Sequence, residues 1–272
     1  MRAVCATVVC GALLSLGGCA SHDRPLEQRG PAVAQVVEKL PSLELPEVRM
    51  PPPSRADVMT AYRRVYGAVP DTHENQAVGR RLADLEMQAG EDKDAAGEAA
   101  PYQAAIDLYE SLLQQSGAEN LDEVIYQLAR AYDVVGNTQQ ARHYLDRLVT
   151  NYPDSRFIVE ARFRRAEMAF SAEQYADAAK DYEYVVASGS DTAYWQNANY
   201  MLGWCRFKRS QLDESLDSFF VVVDSILSDG KEPDRSTQEL LNDALRVIVL
   251  AVTYLDGPKT LSQHMDKLHK PA

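Results

Sequence analysis

The chain has 272 residues, of which 46% are apolar, and this is enough to form the core of one or two domains and excludes wholesale disorder. Lys and Arg number 28 against 40 Asp and Glu, so the formal net charge is −12 at pH 7. A chain this acidic, with no run of Lys or Arg, repels nucleic-acid phosphates and anionic lipid headgroups, which excludes nucleic acid as an expected partner.

Residues 1–18 have the features of an export signal. Met1 and Arg2 supply one positive charge, and residues 3–16 form an apolar run without a charged side chain. This run is too short to span a bilayer as a mature helix and is typical of the core of a signal peptide. We therefore predict a secretory signal peptide over residues 1–18.

The signal ends in Leu16-Gly17-Gly18-Cys19. These residues resemble the lipobox of bacterial lipoproteins, in which small side chains let the processing enzymes reach the cysteine. The resemblance implies that Cys19 carries lipid, including acyl chains such as palmitate, and each buried methylene contributes ~0.8 kcal/mol to membrane attachment. An aspartate directly after the cysteine retains such lipoproteins in the inner membrane, and here Ala20-Ser21 follow instead. The resemblance therefore also implies a location at the periplasmic face of the outer membrane. A plain secretory signal cleaved elsewhere is the alternative.

A proline-rich segment follows the lipobox. Seven of the 13 prolines of the chain lie between residues 20 and 53. Proline fixes φ and has no amide donor, so residues 19–53 are predicted to form the lipidated cysteine and an extended linker. The linker is either a simple spacer, or its segment Leu40–Pro46 docks on a partner or on this protein's own groove.

The centre of the chain repeats itself. The blocks Gln127–Tyr132, Arg164–Ala169 and Met201–Arg206 begin 37 residues apart, and Ala141, Ala178 and Ser215 recur at the same interval. Self-similarity at a period of about 20–50 residues is typical of a solenoid made of stacked helix pairs.

One copy, residues 122–155, resembles a tetratricopeptide repeat. It has small and large residues in the order of that family, namely Leu128, Ala129, Tyr132, Gly136, Ala141, Leu145, Leu148 and Pro153. The resemblance implies an all-α, right-handed α-α superhelix over residues 54–272, with about four helix pairs after an opening half repeat that starts at Ser54. The longer period of the later copies resembles periplasmic lipoproteins of the outer-membrane assembly and Tol-Pal coordinating types.

Two features depart from the regular array. Residues 90–98 are acidic and contain glycine, and we predict that they form a loop inserted between helices over 72–89 and 101–115. The insertion is either a recognition loop or without a function of its own.

A second departure lies near the C-terminus. The capping box at Ser236–Glu239 predicts a helix that reaches about Leu255 and is apolar on nearly all sides, before a last helix that ends near Leu268. We expect either that the array continues in a longer parent protein, or that a second subunit covers it, with Val249 on the assembly surface.

Catalytic and metal-binding motifs are absent from the sequence. The five histidines form no HExxH, and there is no GxSxG, no phosphate-binding GxxxxGK[ST] loop, no CxxC and no EF-hand spacing. Cys205 falls within a predicted helix, where a free cysteine usually behaves as a small buried hydrophobe. We therefore predict a protein that is not an enzyme and needs neither a metal nor a cofactor.

The candidate site is the concave surface that the resemblance implies. In a tetratricopeptide repeat the fifth, ninth and twelfth residues of the first helix face the groove, and here these are Tyr126, Arg130, Asp133, Phe163, Glu167, Phe170, Tyr200, Trp204 and Phe207. Aromatic side chains and arginine dominate binding hot spots, so this set predicts a partner-binding groove. For Tyr126, Phe163 and Tyr200, packing against the neighbouring repeat is an equal alternative.

These features together predict a non-catalytic scaffold, anchored to the outer membrane through Cys19, that binds a peptide or protein segment in an aromatic-lined groove during cell-envelope biogenesis. The alternative is a structural subunit that either associates with itself or joins an outer-membrane secretion or polysaccharide-export assembly. In both cases its C-terminal helices would form the interface.

Overall fold

A computed structural model describes residues 51–68, 73–98, 101–115, 120–228, 230 and 232–268. The predicted signal peptide, the lipid site at Cys19 and nearly all of the proline-rich linker lie outside these residues. Among the described residues, no helix is both long enough and apolar enough to cross a membrane.

The described residues form eleven helices and no strand. The helices are α1 (Arg55–Ala68), α2 (His73–Ala95), α3 (Gln103–Gln114), α4 (Leu121–Val134), α5 (Thr138–Asn151), α6 (Ile158–Ser171), α7 (Tyr175–Ala187), α8 (Trp195–Lys208), α9 (Leu212–Ser228), α10 (Arg235–Tyr254) and α11 (Pro258–Leu268).

Each helix packs mainly against its neighbours along the chain, from α1 against α2 to α9 against α10, while α11 packs on both α9 and α10. The apolar core follows the same order, as a series of buried clusters that each draw on consecutive helices. A structure in which every unit contacts only the next is a solenoid. The all-α solenoid predicted from the repeats is therefore confirmed.

Small residues set the distance between the two helices of a pair. Ala141, Ala178 and Ser215, which recur at one interval in the sequence, are all fully buried. The Ser215 hydroxyl donates to the Leu212 carbonyl at 2.8 Å, so the third copy keeps its polar group satisfied in the core. On the other helix of this pair, Gly203 lies so close to Phe219 that an added Cβ would be 2.9 Å from the ring.

The prediction of a loop over residues 90–98 is wrong for residues 90–95, because α2 continues without a break to Ala95. Gly90 is buried under the ring of Tyr102, which would lie 2.5 Å from a Cβ at that position. The Tyr102 hydroxyl donates to Asp94 at 2.8 Å, and Arg130 of α4 donates to Glu91 at 2.5 Å. These tertiary contacts outweigh the low helix propensity of glycine, which is only about 1 kcal/mol.

The two predicted helix starts differ in outcome. The Ser54 hydroxyl accepts from the Asp57 amide at 3.2 Å, so Ser54 caps α1 at the predicted start of the opening half repeat. The predicted start of α10 at Ser236 is two residues late, since Asp234 is the cap and its carboxylate accepts from the Thr237 amide at 2.8 Å. An aspartate at this position also complements the positive end of the helix dipole.

A buried carboxylate joins α6 and α7. Asp181, only 5% exposed, accepts from Arg165 at 2.6 and 2.7 Å and from Arg162 at 2.9 Å. Arg165 also donates to Asp146 of α5 at 2.9 Å, so a single arginine ties three helices together. Forked contacts of this kind fix orientation as well as distance.

Candidate functional site

Tyr126 and Phe163 do not line an open groove, because both are buried. Tyr126 stacks on Phe157 with ring centroids 4.5 Å apart, and Phe163 contacts Tyr182 and Tyr194. The two side chains fill the space between successive helix pairs. At both residues the structure shows packing against the neighbouring repeat, which is the alternative expected for this helical position.

Tyr200 occupies the same position in α8 but is only partly buried. Its ring meets Phe219 of α9 edge to face at 5.8 Å, and its hydroxyl donates to Asp243 of α10. Burial and this hydrogen bond raise the pKa of Tyr200 to about 12, so the phenol stays protonated and remains a donor. Tyr200 therefore links three helices and also keeps part of its surface open.

Trp204 and Phe207 continue the surface that Tyr200 begins. Trp204 meets Tyr200 at 6.5 Å, Phe207 at 5.6 Å and the buried Phe219 at 6.0 Å, with interplanar angles between 74° and 88°. Edge-to-face contacts of this kind are the favoured geometry for aromatic pairs. We call Tyr200, Trp204 and Phe207 the aromatic cluster. It rests on the buried core of α9 and α10, so its partly exposed rings are held in place before any partner binds.

Phe170 of α6 does not extend this cluster. It packs edge to face against Tyr175 of α7 at 5.2 Å and is partly buried. The structure thus brings together three of the predicted aromatic residues, all from α8.

The predicted polar residues lie on α4 and α6. Arg130 donates to Gln127 at 2.9 Å and to Glu91 at 2.5 Å, so its guanidinium has a fixed direction. Glu167 is exposed, and Asp133 lies 3.8 Å from Arg164. These side chains could orient a bound segment through hydrogen bonds, although only Arg130 is held firmly.

Sequence reasoning missed a polar group that links several helices, Glu160 of α6. Burial alone would raise its pKa, but hydrogen bonds from Tyr126, Arg164 and Tyr194 lower it below the ordinary value. The charged carboxylate therefore joins α4, α6 and the start of α8. Its neighbours in sequence give no sign of this role, and only the fold brings the two tyrosines to it.

The open space next to the aromatic cluster lies between α8 and α10. Two neighbouring cavities of about 350 and 340 Å³ share Gln196 and Thr237 in their walls, and Tyr200 lines the second. The remaining lining residues are mainly polar or acidic, namely Asn197, Ser225, Ile226, Glu232, Pro233, Asp234, Ser236, Glu239, Leu240 and Asp243. We call this space together with the aromatic cluster the α8–α10 groove. The sequence does not indicate the α10 wall, because the residues of α10 do not repeat the pattern of the earlier copies.

The reactive chemistry of the described region is limited. Cys205 is buried, and that burial raises the pKa of its thiol to about 12, so it stays protonated and is a poor nucleophile. Within the residues that the structure describes, no group of His, Cys, Asp and Glu is arranged to hold a metal ion. What the α8–α10 groove offers is aromatic surface, fixed hydrogen-bonding groups and space for a chain segment.

Comparison with known proteins agrees with this architecture. The family model for the tetratricopeptide repeat matches residues 123–155. The chain is similar in structure to a tetratricopeptide repeat protein from Parabacteroides merdae ATCC 43184, at 16% identity, 80% coverage of this chain, 75% of that chain and a TM-score of 0.54.

It is also similar to MamA AMB-1, at 16% identity, 74% coverage of this chain, 96% of that chain and a TM-score of 0.50. No curated protein matches the chain in sequence. Identities this low indicate a shared fold, which is the tetratricopeptide solenoid.

Proposed function

We propose that this protein is a non-catalytic scaffold that binds a segment of a protein partner in the α8–α10 groove. The observation that carries the proposal is the aromatic cluster. The buried Phe219 supports Tyr200 and Trp204, the Tyr200–Asp243 hydrogen bond fixes Tyr200, and Phe207 packs on Trp204, while part of each of the three rings remains open. Aromatic side chains bury a large area at little cost in rotamer entropy, particularly when they are already fixed.

The dimensions of the groove favour a peptide segment over a small metabolite. The two cavities, of about 350 and 340 Å³, lie side by side and are open to solvent, so together they form a furrow rather than an enclosed pocket. The polar wall supplied by α10 could pair with the main chain of an extended segment, while apolar side chains of that segment contact Trp204 and Phe207.

We further propose that the scaffold works at the periplasmic face of the outer membrane, in cell-envelope biogenesis. Support comes from the sequence of the first 19 residues, in which an apolar signal ends in Leu16-Gly17-Gly18-Cys19. Lipid on Cys19 would tether the solenoid through the proline-rich segment and leave the groove accessible to other envelope proteins.

Alanine substitution tests the groove. Trp204→Ala and Phe207→Ala remove partly exposed rings, and we expect each to weaken partner binding by more than about tenfold, since truncation of a hot-spot aromatic costs about 2 kcal/mol or more. Tyr184→Ala is the matched control, because Tyr184 is an exposed aromatic on α7 that lies over Arg162, outside the groove. The readout is the amount of partner recovered with each variant after crosslinking in the native envelope. Equal recovery from all three variants would refute the groove as the binding site.

Lipid attachment has its own test. A Cys19→Ala chain should lose labelling by an alkyne-tagged fatty acid and move from the membrane fraction to the soluble periplasmic fraction. Retained labelling in this variant would show that the acyl chain is attached elsewhere, whereas no labelling of the unmodified chain would show that the signal is of the plain secretory type. The outcome is independent of the groove variants.

A further inference from the structure

The last two helices leave apolar residues open to solvent. Leu245 and Val249 of α10 and Leu261 and Met265 of α11 are all exposed, Val249 by 66%. We call these four residues the end face. On α10, Leu245 and Val249 follow the buried residues Ala244 and Ile248 by one position, so they lie about 100° around the helix from the side that packs on α9.

The orientation of α11 shows that this exposure is specific. The polar side of the helix faces inward: Thr260 and His264 are buried, whereas Leu261 and Met265 are exposed. His264 places Nδ1 2.8 Å from Asp217 and Nε2 3.0 Å from Asp213, both on α9, and its ring stacks on Phe220. A surface helix of a soluble monomer normally shows the reverse arrangement, with its apolar stripe inward.

The inward polar contacts also hold α11 in this orientation. Lys267 donates to Asp217 at 3.0 Å, so two residues one turn apart on α11 are fixed to the same carboxylate. A rotation that buried Leu261 would break these contacts. The apolar side of α11 is therefore presented outward by a specific set of hydrogen bonds, which is the arrangement of an interface helix.

Charge identifies the partner that fits this face. Between residues 235 and 268 the chain has four basic residues (Arg235, Arg246, Lys259, Lys267) and four acidic ones (Glu239, Asp243, Asp256, Asp266), whereas the whole chain has a net charge of −12. Two copies of so acidic a protein repel each other over most of their surface. Because α10 and α11 add no net charge, two copies that meet at this end repel each other less than they would elsewhere.

We propose that a second copy of this chain covers the end face through a two-fold axis. A two-fold contact sets apolar residues against apolar residues, and it lets Lys259 of one copy approach an acidic residue such as Asp256 of the other. Stacking of the end face on the opposite end of another copy is less favourable, since α1 exposes only Val65 among the large apolar residues described there and also exposes Arg63 and Arg64. The two-fold arrangement closes on itself and gives a dimer.

Such a dimer would carry two α8–α10 grooves. The proposal does not depend on what the grooves bind, since it rests on α10, α11 and the charge distribution. For a partner with two matching segments, a dimer would raise the apparent affinity without any new contact.

Cysteine crosslinking tests the proposal in the full chain. At a two-fold contact centred near Val249, the two copies of this residue lie close together, so a Val249→Cys variant treated with a mild oxidant should form a disulfide-linked dimer that reductant dissolves. Val65→Cys is the matched control, because Val65 is also an exposed valine, 46% accessible, but lies in α1. The unmodified chain measures any background from its own cysteines, of which Cys205 is buried.

The mass of the product decides the result. A species of twice the chain mass that forms with Val249→Cys well above both controls supports the dimer. No excess over the controls, or an adduct of a different mass, overturns it. As a second measurement on the same full chain, sedimentation should show that Val249→Asp raises the dimer dissociation constant more than about tenfold, while Val65→Asp leaves it unchanged. Equal dissociation constants for the two variants would also overturn the proposal.

Discussion

Replacement of Gly203 by alanine sets two opposed effects against each other at the base of the aromatic cluster. Alanine favours a helix interior over glycine by about 1 kcal/mol, so propensity alone predicts a more stable protein. The added Cβ, however, would lie 2.9–3.0 Å from three atoms of the Phe219 ring. That ring is fully buried and is contacted by Tyr200 and Trp204, so it cannot simply rotate away.

Overpacking of a tight core typically costs about 1–3 kcal/mol. Set against a gain of about 1 kcal/mol, the expected result for Gly203→Ala is a net destabilisation of about 1 kcal/mol. The assay is urea unfolding followed by circular dichroism, with the near-ultraviolet signal as a report on the environment of Trp204. Because neighbouring repeats can unfold separately, the fit should be checked for a single transition.

Gly67 provides the control, since it lies in α1 with no atom within 4 Å of an added Cβ. Gly67→Ala should therefore stabilise the protein by about 0.4–1 kcal/mol. The two substitutions are chemically identical and differ only in the space around them. If Gly203→Ala were as stable as Gly67→Ala, the tight packing of Phe219 against α8 would be incorrect.

Three further outcomes are expected from the polar contacts. Asp181→Asn should lower the free energy of unfolding by about 2–4 kcal/mol because it weakens a buried pair with two arginines. Asp177→Asn, at an exposed pair with Lys180, should leave the free energy of unfolding nearly unchanged in the same urea titration. Because the pKa of Glu160 is lowered from 4.5 in the folded state, its charge stabilises the fold above about pH 4.5, and this stabilisation is lost as pH falls from there through the lower, folded pKa. Glu160→Gln should therefore lose less of its unfolding midpoint than the unmodified chain as pH falls from about 6 to about 3. Tyr200→Phe should cost about 0.5–1.5 kcal/mol through loss of its hydrogen bond, while Tyr184→Phe, at an exposed tyrosine, should cost nearly nothing.

The fold could be predicted from the sequence because the repeat is a strong signal. Residues that recur at one interval, such as Ala141, Ala178 and Ser215, occupy equivalent buried positions, so each copy confirms the others. The same logic fails where the copies diverge. The extension of α2 through Gly90 depends on the Tyr102 ring, and no local pattern around residue 90 predicts that contact.

The candidate site could be predicted only in part, for a related reason. Helical position alone identifies Tyr126, Phe163 and Tyr200 as equivalent, but two are buried and one is partly open. The difference comes from the side chains that lie next to each residue in space: Phe157 and Tyr194 cover the first two, whereas α10 leaves a furrow beside the third. The position of a residue within the repeat therefore predicts the direction of its side chain, whereas the neighbouring repeat determines how much of that side chain is exposed.

At α10 and α11 the sequence predicts an exposed surface correctly but does not predict the contacts beneath it. The sequence of α10, apolar on nearly all sides, predicts that something must cover it, and the structure places Val249 in solvent. The inward orientation of His264 on α11 was not predicted, because a lone histidine on an otherwise amphipathic helix gives no indication of the two aspartates on α9 that receive it.

Site-specific photo-crosslinking tests the central claim, binding of a protein segment at the aromatic cluster, most directly. A photoreactive phenylalanine analogue placed at Phe207 in cells of the native host should, on irradiation, form a covalent adduct with another envelope protein, and mass spectrometry should identify one contiguous segment of it. The same analogue at Tyr184 should give no such adduct. An identical adduct pattern at both positions, or none at Phe207, would contradict binding at the aromatic cluster.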